Sequence, residues 1–172
     1  MEERLRLLIR DVPDFPKPGI LFKDITPILS EPDLLRETVE ALARPFRSEG
    51  VSKVLGIESR GFIFAPALAV ALGAGFIPAR KPGRLPRETF REPYALEYGH
   101  DALEIHRDAF GKGERVLVVD DLLATGGTAA AAARLVEKVG GQVVGAAFVI
   151  ELEFLGGRAK LPVRRIHTLV RY

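Results

Sequence analysis

The stretch Val116-Leu117-Val118-Val119-Asp120-Asp121-Leu122-Leu123-Ala124-Thr125-Gly126-Gly127-Thr128 constrains the fold more than any other part of this chain. Its first four residues are a continuous apolar run rich in β-branched side chains, as found in strands covered on both faces. The Ala-rich run over residues 126–139 then predicts a helix, which Gly140-Gly141 stops. A buried strand that delivers two acids to a small-residue turn, with a helix opening behind it, belongs to an open α/β sheet. Such sheets bind their ligands at the carboxyl ends of the strands.

The rest of the chain agrees with that class. Residues 54–57 read as a short apolar strand, a helix begins near Gly61, and further buried strands cover 76–80 and 143–152. Strands alternating with helices predict a mostly parallel central sheet with helices on both faces. Before it, a helix is expected over residues 3–9. The prolines at 13, 16 and 18, with Gly19, then force an extended, turning segment up to Pro27. Ser30-Glu31-Pro32-Asp33 has the form of a capping box. Leu35, Val39, Leu42 and Phe46 follow on one helical face until Gly50, with Pro45 bending the last turn. Residues 81–100 mix Pro, Gly and charge without a helical period, so they read as a long loop or small excursion, and Glu97-Tyr98-Gly99-His100-Asp101 as a hairpin turn into 102–108.

Several function classes drop out on composition. At 172 residues one domain is expected, and 47% hydrophobic with 28% charged residues excludes disorder and coiled coil. The net charge of +2 is too small to argue for nucleic acid. Without cysteine there is no disulfide or thiol chemistry, and His100, His106 and His167 lack a metal-ligand spacing. The uncharged run over 62–79 approaches the length of a membrane span. Gly73, Gly75, Pro66 and Pro78 interrupt it, however, and predict a buried helix, a turn and a strand. The acidic start, Met1-Glu2-Glu3, does not resemble a secretory signal, so a cytoplasmic protein without a membrane partner is expected.

The turn at 124–128 is built for an anion. Gly126 and Gly127 let successive N–H groups point inward, Thr125 and Thr128 add hydroxyls, and the helix N-terminus adds partial positive charge. The loop lacks the lysine of a Walker motif and the third glycine of a dinucleotide fingerprint, so a single phosphate fits best. Asp120 and Asp121 precede it by about the distance from a 5′-phosphate to the ribose hydroxyls, which carboxylates accept well. The alternative is an N-cap acid beside an ordinary glycine turn. Arg80, Lys81, Arg84, Arg87 and Arg91 place five cations in twelve residues, with Glu88 alone against them. They read either as a solvated face or as a cover that meets a pyrophosphate.

The 116–128 run resembles the phosphoribosyl-diphosphate motif of the type I phosphoribosyltransferases. The segment Phe15-Pro16-Lys17-Pro18-Gly19-Ile20-Leu21-Phe22-Lys23-Asp24-Ile25-Thr26-Pro27 is similar to the base-binding segment of the adenine phosphoribosyltransferases. So are Gly56-Ile57-Glu58-Ser59-Arg60-Gly61-Phe62 and Tyr94-Ala95-Leu96-Glu97-Tyr98-Gly99, in the family's order. The resemblance implies one domain over 1–172, with a hood over about 1–33 and a flexible catalytic loop over about 81–100. It implies transfer of ribose 5-phosphate from 5-phosphoribosyl 1-diphosphate to adenine, giving AMP and pyrophosphate, for purine salvage. Backbone atoms of Leu21 and Arg60 would read the purine edge, and Phe22 would stack on the ring; without the family, the alternative for Phe22 is a plain core aromatic.

Ser59 belongs to the implied pyrophosphate loop, where Glu58-Ser59 is expected to take an unusual peptide geometry. Arg60, Arg80, Lys81 and Arg84 would hold the leaving pyrophosphate, and Ala124, Thr125, Gly126, Gly127 and Thr128 the 5′-phosphate. Glu97, through Tyr98, would assist proton movement, or the two simply form a hairpin corner. Mg²⁺ would arrive on the diphosphate without a direct protein ligand, Asp120 or Asp121 reaching it through water. A homodimer is implied. Lys23 stands where other members carry Arg, and Pro82 where relatives carry a basic residue, so the anion ligands stay open. The rivals are a 6-oxopurine (xanthine) phosphoribosyltransferase, a nucleotide-sensing regulator without turnover, and a generic flavodoxin-like phosphate-binding module.

Overall fold

In the computed structural model, which describes residues 1–95 and 99–172, α1 (Glu2–Leu8) leads into a hairpin of β1 (Arg10–Pro13) and β2 (Leu21–Asp24). The expected extended segment is therefore a paired ribbon with Pro16 and Pro18 in its turn and Pro13 ending β1. The Asp14 carboxylate accepts the Gly19 N–H at 2.8 Å across that turn, and Phe15-Pro16 is cis. A single helical turn, α2 (Thr26–Leu29), follows with Pro27 in its first turn, where a missing N–H breaks no helical bond. The expected capping box does not form. The Ser30 hydroxyl donates back to the Pro27 carbonyl at 3.1 Å, and Glu31 occupies the N-cap of α3 (Pro32–Ala43) without a side-chain bond. Leu34, not Leu35, is the fully buried residue of that turn, and Pro45 falls in a separate 3₁₀ turn (Arg44–Phe46) after α3 has ended.

Next come β3 (Lys53–Ile57), α4 (Gly61–Leu72) and β4 (Gly75–Ala79), which resolve the uncharged run into a helix, a left-handed Gly73 cap and a strand. Among the described residues no helix is long and apolar enough to cross a membrane. Much of the expected loop is a second antiparallel pair, β5 (Thr89–Ala95) with β6 (His100–His106), and residues 81–88 before it are irregular. The chain closes with β7 (Arg115–Leu123), α5 (Gly127–Val139), β8 (Gln142–Glu151), two short 3₁₀ turns and β9 (Ile166–Arg171), the last three unforeseen in the sequence.

All five central strands are parallel, in the order β4-β3-β7-β8-β9. One apolar layer joins α1 to α4 with one sheet face, through Leu34, Leu42, Phe64 and Leu68 against Leu117 and Val149. The other joins α5 and the β5–β6 pair to the opposite face, through Leu103, Ile105, Leu135 and Phe148. The α/β class with helices on both faces is thus observed. In α5 the run from Ala129 to Ala133 is wholly buried, and these small side chains let the helix lie between the sheet and the β5–β6 ribbon.

Candidate active site

At the carboxyl end of the sheet, β7 runs two residues past the acids, pairing with β8 as far as Leu123. Asp120 and Asp121 are therefore strand residues, and both carboxylates meet the head of α4, Asp120 beside Gly61 and Asp121 on Arg60. Asp121 is 5% exposed and its Oδ2 accepts the Arg60 Nε–H at 2.5 Å. The Asp120 Oδ1 accepts the Asp121 N–H at 2.9 Å. Burial first, and the adjacent Asp121 charge second, push the Asp120 carboxyl well above the usual carboxylate range. Gly61 opens α4 hard against this point: a Cβ there would lie 2.9 Å from the Val119 carbonyl and 3.1 Å from Asp120 Oδ1. A side chain at 61 would collide with β7 at Val119 and Asp120.

Beyond Leu123 the chain turns through Ala124 and Thr125 into Gly126, whose φ of +82° suits glycine and which caps α5. A cavity of about 80 Å³ lies here, lined by Asp120, Ala124, Thr125, Gly126 and Thr128 with parts of β7 and α5, and by no Lys or Arg. A small polar cavity at a helix N-terminus can hold an oxyanion by N–H groups and hydroxyls. Gly127 is not in its lining; it packs against the ribbon, where a Cβ would stand 3.2 Å from the Ala95 carbonyl. Gly157 is a site-building residue the sequence did not reveal. A Cβ on it would lie 2.1 Å from the Ala124 carbonyl, and one on Gly126 would lie 2.3 Å from the Gly157 carbonyl. The signal was present in Gly156-Gly157, but only the fold shows what the pair approaches.

A larger groove of about 660 Å³ adjoins this cavity, sharing Leu122, Ala124 and Thr125 with it. Leu21, Phe22, Lys23 and Arg60 line it, as do Leu152, Phe154 and Leu155, which the sequence had not marked. Phe22 meets Phe15 edge-on, centroids 5.1 Å apart, and the Arg60 guanidinium stands 5.0 Å from the Phe22 ring. Arg60 thus ties the aromatic side of the groove to Asp121. Lys23 is 8% exposed: its ammonium lies 2.5 Å from Asp11 and 3.6 Å from the Tyr172 ring.

Of the five cations at residues 80–91, Arg80, Lys81 and Arg87 are paired with carboxylates. Arg80 donates to both oxygens of Glu58, at 3.2 and 3.0 Å, and the Lys81 N–H donates to the same carboxylate at 2.9 Å. Arg80 foremost, against the opposing effect of burial, holds the Glu58 carboxyl below its ordinary range. The Lys81 ammonium binds Asp101 and the Tyr94 hydroxyl; burial opposes the charge, yet these two partners carry its pKa upward. The exposed Arg84 accepts Arg80 Nη1 on its carbonyl at 3.1 Å, and Arg87 pairs with Asp108. Glu58, bonded to Ser59 by a cis peptide, links this group to Arg60 at the head of α4. Glu97 and Tyr98 lie outside the described residues.

Residues 25–165 match the model of the phosphoribosyl transferase domain. The adenine phosphoribosyltransferase of Anaeromyxobacter dehalogenans is 59% identical over 172 residues, covering 100% of both chains. The crystal structure of adenine phosphoribosyltransferase from Rhodothermus marinus superposes with a TM-score of 0.95 at 56% identity, over 99% of this chain and 97% of that one. The Saccharomyces cerevisiae adenine phosphoribosyltransferase, complexed with D-2,5-dideoxy-2,5-imino-altritol 1,6-bisphosphate and adenine, gives 0.92 at 44% identity, over 98% and 97%.

Proposed function

Since the chain belongs to the adenine phosphoribosyltransferase family of phosphoribosyltransferases, we propose that it transfers ribose 5-phosphate from 5-phosphoribosyl 1-diphosphate to N9 of adenine, giving AMP and pyrophosphate. The observation that carries this reading is the continuity of three compartments: the cation-free cavity at 124–128, the acid pair beside it and the Phe22 groove next to both. Phosphate, ribose and base follow one another in the same order.

In this reaction the bond from C1′ to the diphosphate oxygen breaks, its electron pair leaves with pyrophosphate, and N9 closes on C1′ as positive charge builds on the sugar. Stabilisation then comes from fixed charge. Asp120 and Asp121 accept the ribose hydroxyls and set negative charge near the developing cation. Ala124, Thr125, Gly126 and Thr128 hold the 5′-phosphate; Gly127 contributes by letting α5 start close to the ribbon. Leu21 and Arg60 read the purine edge through their backbone, and Phe22 stacks on the ring. Main-chain groups can separate a 6-amino from a 6-oxo purine, because a mismatched buried pair loses its hydrogen bond. Ser59, Arg60, Arg80, Lys81 and Arg84 receive the pyrophosphate, Arg80 and Lys81 exchanging the carboxylates that now hold them. Glu97, with Tyr98, moves the proton released from N9.

Mg²⁺ suits this site as an ion that travels with the diphosphate. Among the described residues no three His, Cys, Asp or Glu side chains gather as a metal site. One oxygen of each aspartate is already engaged, by Arg60 and by the Asp121 amide, so Asp120 or Asp121 would reach the ion through water. The ion would neutralise the leaving diphosphate. A homodimer has support in α4, whose outer face leaves Ile63 and the 84% exposed Val70 uncovered.

Pyrophosphate release with adenine, hypoxanthine and xanthine, each with and without Mg²⁺, tests the reading. Release with adenine and Mg²⁺ is expected. Faster release with xanthine would make the protein a 6-oxopurine enzyme, and none with any base a nucleotide-sensing regulator.

A further inference from the structure

Glu151, the last residue of β8, is 3% exposed, yet its carboxylate is fully engaged. Arg158 returns from the second 3₁₀ turn (Gly157–Lys160) and closes its fork on both oxygens, Nε to Oε1 at 2.9 Å and Nη2 to Oε2. The Thr168 hydroxyl donates to Oε2 at 3.0 Å, and Arg158 Nη1 donates to the Ile166 carbonyl at 3.1 Å. A planar fork on a buried carboxylate fixes direction as well as distance. What it fixes here is Gly157, whose backbone lies so close to Ala124 and Gly126 that neither Gly157 nor Gly126 has room for a Cβ. The loop at 124–127 consists of small residues with no large side chain to anchor it, so its shape depends on what its backbone rests against.

We propose that Glu151 and Arg158 are positioning residues for the transfer: their ion pair holds Gly157 as a backstop that sets the aperture of the phosphate-binding loop. The proposal rests on the function given above, and its action is at one step, the grip on the 5′-phosphate. A loop displaced by a fraction of an ångström keeps its chemistry but loses alignment of its N–H groups.

Steady-state kinetics with adenine and phosphoribosyl diphosphate test it, together with melting midpoints, on Arg158→Met, Arg158→Lys, Glu151→Gln and Gly157→Ala. The expected result is a KM for phosphoribosyl diphosphate raised about 10- to 100-fold in Arg158→Met and Glu151→Gln, with kcat changed far less. Arg158→Lys, which keeps the charge and loses the fork, should fall between. Gly157→Ala should reproduce the KM shift with the ion pair intact, and carries the test if the charge variants do not fold. Lower melting midpoints with a wild-type KM in all the folded variants would overturn the proposal and leave the pair a purely structural role. Should the wild type transfer nothing to adenine, the functional reading fails, and the affinity of wild type and Arg158→Lys for AMP decides the backstop separately: equal affinities overturn it.

Discussion

The loop at 124–128 and the segment at 80–91 both face negative charge in the proposed reaction, yet they are built in opposite ways. The first holds no cation; it rests on backbone, a left-handed glycine and the contact between Gly126 and Gly157. The second is a set of long cationic side chains, of which Arg80, Lys81 and Arg87 are engaged by Glu58, Asp101 and Asp108. A group that keeps its grip on the substrate throughout is best served by fixed N–H dipoles, which need no reorganisation. A group that must release a product is better served by side chains with other partners at hand.

The largest effect expected from that contrast is at the acids that join the two regions. Asp120→Asn with Asp121→Asn should lower turnover at least about 100-fold, read by pyrophosphate release; a rate within a few-fold of wild type would detach both from the sugar. Next comes Gly126→Ala, which faces a positive φ and a contact of 2.3 Å with the Gly157 carbonyl. It should destabilise by about 1–3 kcal/mol in denaturant unfolding and raise the KM for phosphoribosyl diphosphate. Gly127→Ala should do clearly less, since its Cβ meets the Ala95 carbonyl at 3.2 Å.

These two glycines separate what a local run of residues reveals from what only packing decides. The cradle was legible because its parts are contiguous: an apolar strand, two acids, small residues and an Ala-rich helix fall within one run. The exact share of each glycine was not, because Gly126 and Gly127 differ only in what packs against them from residues 157 and 95. The cation cluster was visible as charge, but its partners lie at positions 58, 101 and 108, and no local pattern announces such pairings. The proline segment read as irregular because the turn of the β1–β2 hairpin is longer than the two-residue turns that mark a hairpin in sequence. The apolar wall at Leu152, Phe154 and Leu155 escaped notice because ordinary apolar residues carry no functional signature.

Acid titration separates the two regions by sign. The folded Asp120 pKa lies above its ordinary 3.8, so the folded state binds the extra proton and stability falls as pH rises from there through the raised value. Asp120→Asn should therefore raise the melting midpoint near neutral pH, and its advantage should shrink as pH falls through that value. Glu58 behaves oppositely: its folded pKa lies below the ordinary 4.5, so its contribution is present above 4.5 and lost as pH falls through the folded value. Glu58→Gln should cost stability near neutral pH, with the deficit closing in acid. Midpoints that move in the same direction for both variants would break the contrast. The smallest effect belongs to Arg87→Ala, whose exposed pair with Asp108 should be worth less than about 1 kcal/mol in thermal unfolding.

A crystal structure with AMP bound tests the central claim most directly. The account predicts the phosphate in the cavity formed by Ala124, Thr125, Gly126 and Thr128, with the ribose hydroxyls on Asp120 and Asp121 and the base beside Phe22. A phosphate lodged instead among Arg80, Lys81 and Arg84, with the 124–128 cavity holding none of the nucleotide, would contradict it.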